Sequence, residues 1–136
     1  MWTQEESIET TAKPTQIWKL FADVPGWKIW NAGIEKIEIQ GPFAPGTLFT
    51  MKVPDGPSIT SKLIVVKENQ IFSDETIIEQ NRIVVHHIIR PLSSGNSRIT
   101  YKTEISGPHA AAFGPMVTGD FPQVLRALKK LAEKSE

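Results

Sequence analysis

Apolar and polar positions alternate along most of this chain, and the period changes sharply near both ends. Residues 3–11 alternate loosely around Ile8 and are rich in Thr, which predicts a strand. Pro14 suits the first turn of a helix, and Ile17, Trp18, Leu20 and Phe21 follow at helical spacing. Val24-Pro25-Gly26 ends that helix, because the residue before proline is driven out of the α region. Trp27 to Asn31 makes one more helical turn. From Ile34 the period becomes two: Ile37 and Ile39 share a face, then Phe49, Met51 and Val53 share a face within a strand over 47–53. Further strands are predicted over 58–68, 71–79, 82–91 and 97–106. The run Leu63-Ile64-Val65-Val66 hides the register of the first of these. Pro54-Asp55-Gly56-Pro57, Glu68-Asn69-Gln70, Gln80-Asn81 and Ser93-Ser94-Gly95-Asn96 are turns, and such short connections favour antiparallel neighbours. From about 110 to 134, Phe113, Val117, Phe121, Val124, Leu128 and Leu131 form one helical stripe. Pro115 and Pro122 fall inside it and predict a late start or kinks.

The order is strand, two short helices, six strands and one long helix. This is an α+β pattern. A meander of that length cannot bury its concave face alone, and the amphipathic C-terminal helix is the element available to cover it. A curved antiparallel sheet wrapped around a helix leaves a space between them, and that space is where function is sought.

Alternation assigns the faces of the last two strands. Arg98, Thr100, Lys102 and Glu104 are plainly solvent-facing, so Ile99, Tyr101, Thr103 and Ile105 point inward. On the preceding strand Ile83, Val85, His87 and Ile89 form the inner face, with His86 and Arg90 on the outer one. The inner wall is therefore aliphatic with a few polar groups: His87, Tyr101 and Thr103. Such a wall suits a ligand pocket, and equally a packed core with one satisfied imidazole. Burial holds an imidazole neutral near pH 7, so His87 paired with Tyr101 is the candidate catalytic set. Trp27, Trp30 and Asn31 are candidates for a flap over the cavity, or a plug between helix and sheet. Phe43, Phe113 and Met116 are candidates for the far side of its mouth. The candidate ligand contacts are thus Trp27, Trp30, Asn31, Phe49, Met51, Val85, His87, Ile89, Tyr101, Thr103, Phe113, Met116 and Val117.

Composition narrows the chemistry. The chain has 136 residues, with 15 Lys and Arg against 15 Asp and Glu, and no cysteine. One domain over 1–136 is expected from that length. The charge balance gives no basic stripe for nucleic acid. Without cysteine there is no disulfide and no thiolate nucleophile or metal ligand. His86 and His87 diverge on a strand, and no metal-binding, phosphate-loop or nucleophile-elbow motif is present, so no metal or cofactor is expected. Asp74, Glu75 and Glu79 are read as solvated at a strand edge, and His86 as a surface residue. No aliphatic run approaches a membrane span and no signal peptide is visible, so a cytoplasmic location is expected. The oligomeric state, monomer or dimer, is left open.

Particular stretches carry a resemblance. These are 21–31 (FADVPGWKIWN), 33–39 (GIEKIEI), 41–47 (GPFAPGT), 87–91 (HIIRP), Ser106-Gly107-Pro108 and Phe113-Gly114. With the element order, they make the chain resemble the START-like helix-grip superfamily (SRPBCC), and within it the polyketide cyclase/dehydrase branch. The resemblance implies a START-like domain with a cavity for a hydrophobic or aromatic small molecule, such as a lipid or polyketide-like compound. It implies a binding protein first. A cyclase or dehydratase using the cavity histidine is the second reading, and a protein-interaction module the third.

Overall fold

The computed structural model describes residues 1–134, which form a seven-stranded antiparallel sheet with helices on its concave face. In chain order the elements are β1 (Trp2–Thr10), α1 (Pro14–Ala22), a 3-10 turn (Val24–Gly26), α2 (Trp27–Trp30), β2 (Lys36–Ile39), β3 (Leu48–Lys52), β4 (Ser58–Lys67), β5 (Ile71–Ile78), β6 (Asn81–Pro91), β7 (Ser97–Ser106), α3 (Ala110–Thr118) and α4 (Phe121–Lys134). The strand order is β1-β7-β6-β5-β4-β3-β2. Every sequential pair from β2 to β7 is therefore a neighbour, as the short turns require, and β1 closes the sheet beside β7.

Three local features shape the space under the sheet. The first is a bulge in β4, where the register against β5 shifts between Leu63 and Val65. Ser61 and Leu63 are buried ahead of it, and beyond it Val66, not Val65, pairs with Phe72 and packs on the core. The extra residue resolves the register that the run 63–66 conceals, and it bends the strand. The second is the β5–β6 turn. It falls on Glu79 and Gln80, both at positive φ, one residue before the expected Gln80-Asn81. Asn81 instead opens β6, fully buried. Its amide donates to the Ile78 and Glu79 carbonyls, and its Oδ1 accepts from the His109 backbone at the head of α3. The amide needed by the turn thus also anchors the helix.

The third is a break in the C-terminal helix. The expected stripe from Phe113 to Leu131 is divided between α3 and α4 at Gly119-Asp120. Pro122 explains where α4 starts, since its missing N–H costs nothing in a first turn. Gly119 makes the last capping bond of α3, to the Pro115 carbonyl. α3 lies on β1 and β7 so closely that a Cβ at Gly114 would fall on the Trp2 indole. α4 packs on β1 and α1, with Val124, Leu125, Leu128 and Ala132 buried, and Glu133 accepts from the Thr10 hydroxyl and the Thr11 amide.

The closed half of the concave space is a core of Ile17, Phe21, Ile89, Ile99, Leu125 and Leu128. The other half, beneath β3 to β6, is open.

Candidate functional site

The open half is a cavity of about 920 Å³. Its walls come from α2, the concave faces of β3 to β7, and the α3–α4 junction. Of the expected contacts, Trp27, Trp30, Asn31, Phe49, Met51, Val85, His87, Tyr101, Phe113, Met116 and Val117 lie on these walls. Met116 and Ile77, 77% and 59% exposed, stand at its rim.

Two expected contacts are not on the walls. Ile89 is deeper along β6, in the packed half of the core. Thr103 is fully buried on β7, the strand over which α3 lies, and its hydroxyl has no hydrogen-bond partner. Alternation gave the correct face for both, but the helices close the concave side at their positions. Phe43 is not at the mouth either. Its ring packs edge-on to Trp18 at 5.6 Å and Phe72 at 5.3 Å, which makes it a plug of the closed end.

His87 is held from three sides. Its ring stacks on Phe72 at 3.9 Å with the planes 5° apart, and meets Tyr101 edge-on at 4.5 Å. Nδ1 lies 3.2 Å from the Phe72 carbonyl. A carbonyl only accepts, so Nδ1 carries the proton and Nε2 keeps the lone pair. Burial lowers its pKa to about 3, the Phe72 hydrogen bond opposing that shift. The imidazole is neutral, oriented and a weak base. Tyr101 makes no hydrogen bond, although it is 3% exposed and its hydroxyl is buried. Burial raises its pKa, and Asp74 and Asp120 add to the rise.

Asp74 overturns the expectation that this carboxylate is solvated. It pairs with Leu63 on one side and Val85 on the other, in phase with Phe72 and Thr76, and lines the cavity. Its side chain is 14% exposed, and Oδ2 lies 4.0 Å from His87 Nδ1. Burial raises its pKa to about 7. The signal was present in the sequence: with Phe72 inward, alternation turns Asp74 inward and Glu75 outward, where Glu75 pairs with Arg82 at 2.6 Å. Asp120 also lines the cavity, from the helix break where the prolines predict a kink, and burial raises its pKa too.

His86 is on the outer face as expected, but it is bonded at both nitrogens. Nε2–H donates to Glu104 at 2.7 Å, so in the neutral ring Nδ1 accepts from the Ser73 hydroxyl at 2.6 Å. The His86 hydrogen bond holds Glu104 below the usual carboxylate range. Ser73 is fully buried, so this serine–histidine–glutamate line is a cross-strand tie and presents no nucleophile. Among the described residues no His, Asp and Glu cluster could hold a metal ion, and no helix is long and apolar enough to cross a membrane.

Comparison with solved structures places the fold. A Mesorhizobium loti protein superposes with a TM-score of 0.79 at 18% identity, covering 99% of each chain. Norcoclaurine synthase from Thalictrum flavum superposes with a TM-score of 0.75 at 20% identity, covering 96% of this chain and 85% of its own. A structure of that synthase with dopamine and hydroxybenzaldehyde gives 0.73 at 19% identity, covering 99% and 88%. These likenesses are of fold, the Bet v 1-like helix-grip. Among curated proteins none matches the chain. One family, described as polyketide cyclase / dehydrase and lipid transport, matches residues 1–133. With nearly the whole chain matched, the protein belongs to the polyketide cyclase/dehydrase and lipid transport family.

Proposed function

We propose that the protein binds a small apolar or aromatic molecule in the concave cavity. The observation that carries this reading is a cavity of about 920 Å³ with mostly apolar walls, onto which Asp74, His87 and Tyr101 converge. Ligand sites combine apolar bulk with a few placed polar groups in this way. Native mass spectrometry of freshly purified protein tests the reading. A non-covalent adduct that is weakened in the Val85→Trp variant, whose indole narrows the cavity, is expected. An adduct held equally well by that variant and by a second one narrowed from the opposite wall, Val117→Trp, would place binding elsewhere.

A second reading is favoured by one specific observation. Asp74 has its pKa raised to about 7, the poise of a general acid–base group at neutral pH. Asp74 rather than His87 is then the group to move a proton on a bound carbonyl compound, as cyclisation or dehydration requires, with Tyr101 as hydrogen-bond donor. His87, at about 3, holds too little basicity and serves to position Phe72 and Tyr101. That a synthase is built on this fold supports the reading by analogy alone. On this reading Asp74→Asn retains ligand and loses turnover.

A further inference from the structure

The cavity carries one sign of charge. Its lining includes two carboxyl groups, Asp74 and Asp120, and no Lys or Arg. The chain as a whole balances 15 cations with 15 anions, so the one-signed lining is a local property of the cavity rather than of the composition. The two acids come from different elements, Asp74 from β5 and Asp120 from the α3–α4 break. Neither is in an ion pair with Lys or Arg; the one charged-type neighbour, His87 at 4.0 Å from Asp74, is itself neutral.

Other acceptors gather beside Asp120. A Cβ built on Gly33 would lie 3.0 Å from Asp120 Oδ2 and 3.1 Å from Asn31 Oδ1, so both oxygens crowd the same backbone. Gly33 N–H already donates to Asn31 Oδ1 at 2.9 Å, and the Asp120 carboxylate accepts from its own backbone N–H, with no cation paired to it among the described residues. The Tyr101 hydroxyl, buried and unpartnered, is within electrostatic range of both acids. The rest of the wall is rich in aromatic rings, with Trp27, Trp30, Phe49 and Phe121 among its residues, while His87 already stacks on the Phe72 ring. Aromatic faces attract a cation and disfavour an anion.

An anion entering this space would lose its water and meet two acids without a single cation, which is prohibitive. An ammonium would find what the protein leaves open: carboxylates without counter-ions, and aromatic walls. We propose that this cavity selects a basic amine carried on an apolar or aromatic body, with Asp74 and Asp120 as its counter-charges, and excludes carboxylates and phosphates. The proposal rests on the cavity being the ligand site, and narrows the occupant to one charge class. Asp74 is the stronger contributor because it lies between Leu63 and Val85 on the sheet, away from the exposed rim.

Three shape-matched fluorescent probes separate the two claims: pyrenemethylamine, pyrenemethanol and pyrenecarboxylate. Titration at mildly alkaline pH, where Asp74 is ionised, is followed by quenching of Trp27 and Trp30. The neutral alcohol reports the cavity alone. The amine is expected to bind at least about tenfold tighter than the alcohol, and the carboxylate more weakly than either. Asp74→Asn is expected to lower amine affinity several-fold more than alcohol affinity and so erase most of the amine's advantage, and Asp120→Asn to erase part of it. A carboxylate that binds as well as the amine, or an amine advantage that survives both substitutions, overturns the charge selection while leaving the cavity reading intact. If the alcohol and the amine both fail to bind, both readings fall.

Discussion

Asp74 and His87 are two titratable side chains in one environment, and burial pushes both towards neutrality from opposite sides. For Asp74 the folded pKa of about 7 is above its ordinary 3.8, so between those values the native state holds a proton that the unfolded chain has lost. Stability from this group therefore falls as pH rises through that window, by about 1.4 kcal/mol per pH unit. For His87 the folded pKa of about 3 is below its ordinary 6.5, so the unfolded chain holds the extra proton and stability rises with pH over that range. Between about pH 4 and 6.5 the two slopes oppose each other and largely cancel. Urea unfolding across this window should show Asp74→Asn gaining stability with pH relative to wild type, and His87→Phe losing it. Parallel curves for all three proteins would mean that neither group is buried as described. Tyr101→Phe makes a separate test, since it removes a buried hydroxyl that has no partner. The free protein should be as stable or about 1 kcal/mol more stable, while affinity for a hydrogen-bond-accepting ligand falls. A loss of 2 kcal/mol or more, of the order expected when a satisfied buried group is removed, would show that the hydroxyl is already bonded.

At the scale of elements, the β4 bulge and the α3–α4 break decide which side chains reach the cavity. Thr76, Asp74 and Phe72 form one inward row on β5, and the bulge lets β4 follow that row with Ser61 and Leu63 before changing phase at Val66. The break at Gly119 brings Asp120 to the wall, where an unbroken helix would have carried its 3.6-residue stripe straight through. α3 in turn depends on close approach to β1. Gly114→Ala should press a methyl into Trp2, lift α3 and cost roughly 1–3 kcal/mol by overpacking. Thermal unfolding reads the loss, and Trp2→Ala in the same chain should recover part of it by vacating the space. An unchanged melting temperature for Gly114→Ala would show that the two elements are not in contact.

For the molecule as a whole, the fold is a half-filled grip: one end packed by Phe21, Phe72, Leu125 and Leu128, the other end hollow. A protein that leaves about 920 Å³ unfilled gives up dispersion and hydrophobic contacts that an occupant restores. A cavity ligand at one hundred times its Kd should add about 2.7 kcal/mol of stability, seen as a rise in Tm. Val85→Trp, which narrows the cavity, should raise the Tm of the free protein or leave it unchanged, and reduce the ligand's effect. A ligand that raises the Tm of that variant as much as wild type would be bound outside the grip.

Period and punctuation were enough to place seven strands, the two early helices and the inward face of His87 and Tyr101, because alternation is local and each turn residue acts on its own neighbours. The stretches 21–31 and 41–47, with the later ones and the element order, extended this to the family, whose match covers residues 1–133. The same alternation, applied from Phe72, would have turned Asp74 inward; it was read as solvated because an acidic residue is usually exposed, and composition outweighed phase. What lay beyond sequence was non-local. Ile89 and Thr103 share a face with His87 yet miss the cavity, since the helices rather than the strands decide where the concave side is filled. Phe43 sits in an irregular loop with no period to follow, and only packing shows it against Trp18 and Phe72. Asp120 reaches the wall because the Gly119 cap and Pro122 set the break there, and only packing shows that this point faces the cavity. Sequence alone determined which residues face inward on β6 and β7, because the direction of a side chain there follows from an unbroken backbone period. Tertiary structure alone decided where that interior stays empty and how its acids are left without counter-ions, because both depend on contacts between elements distant in the chain.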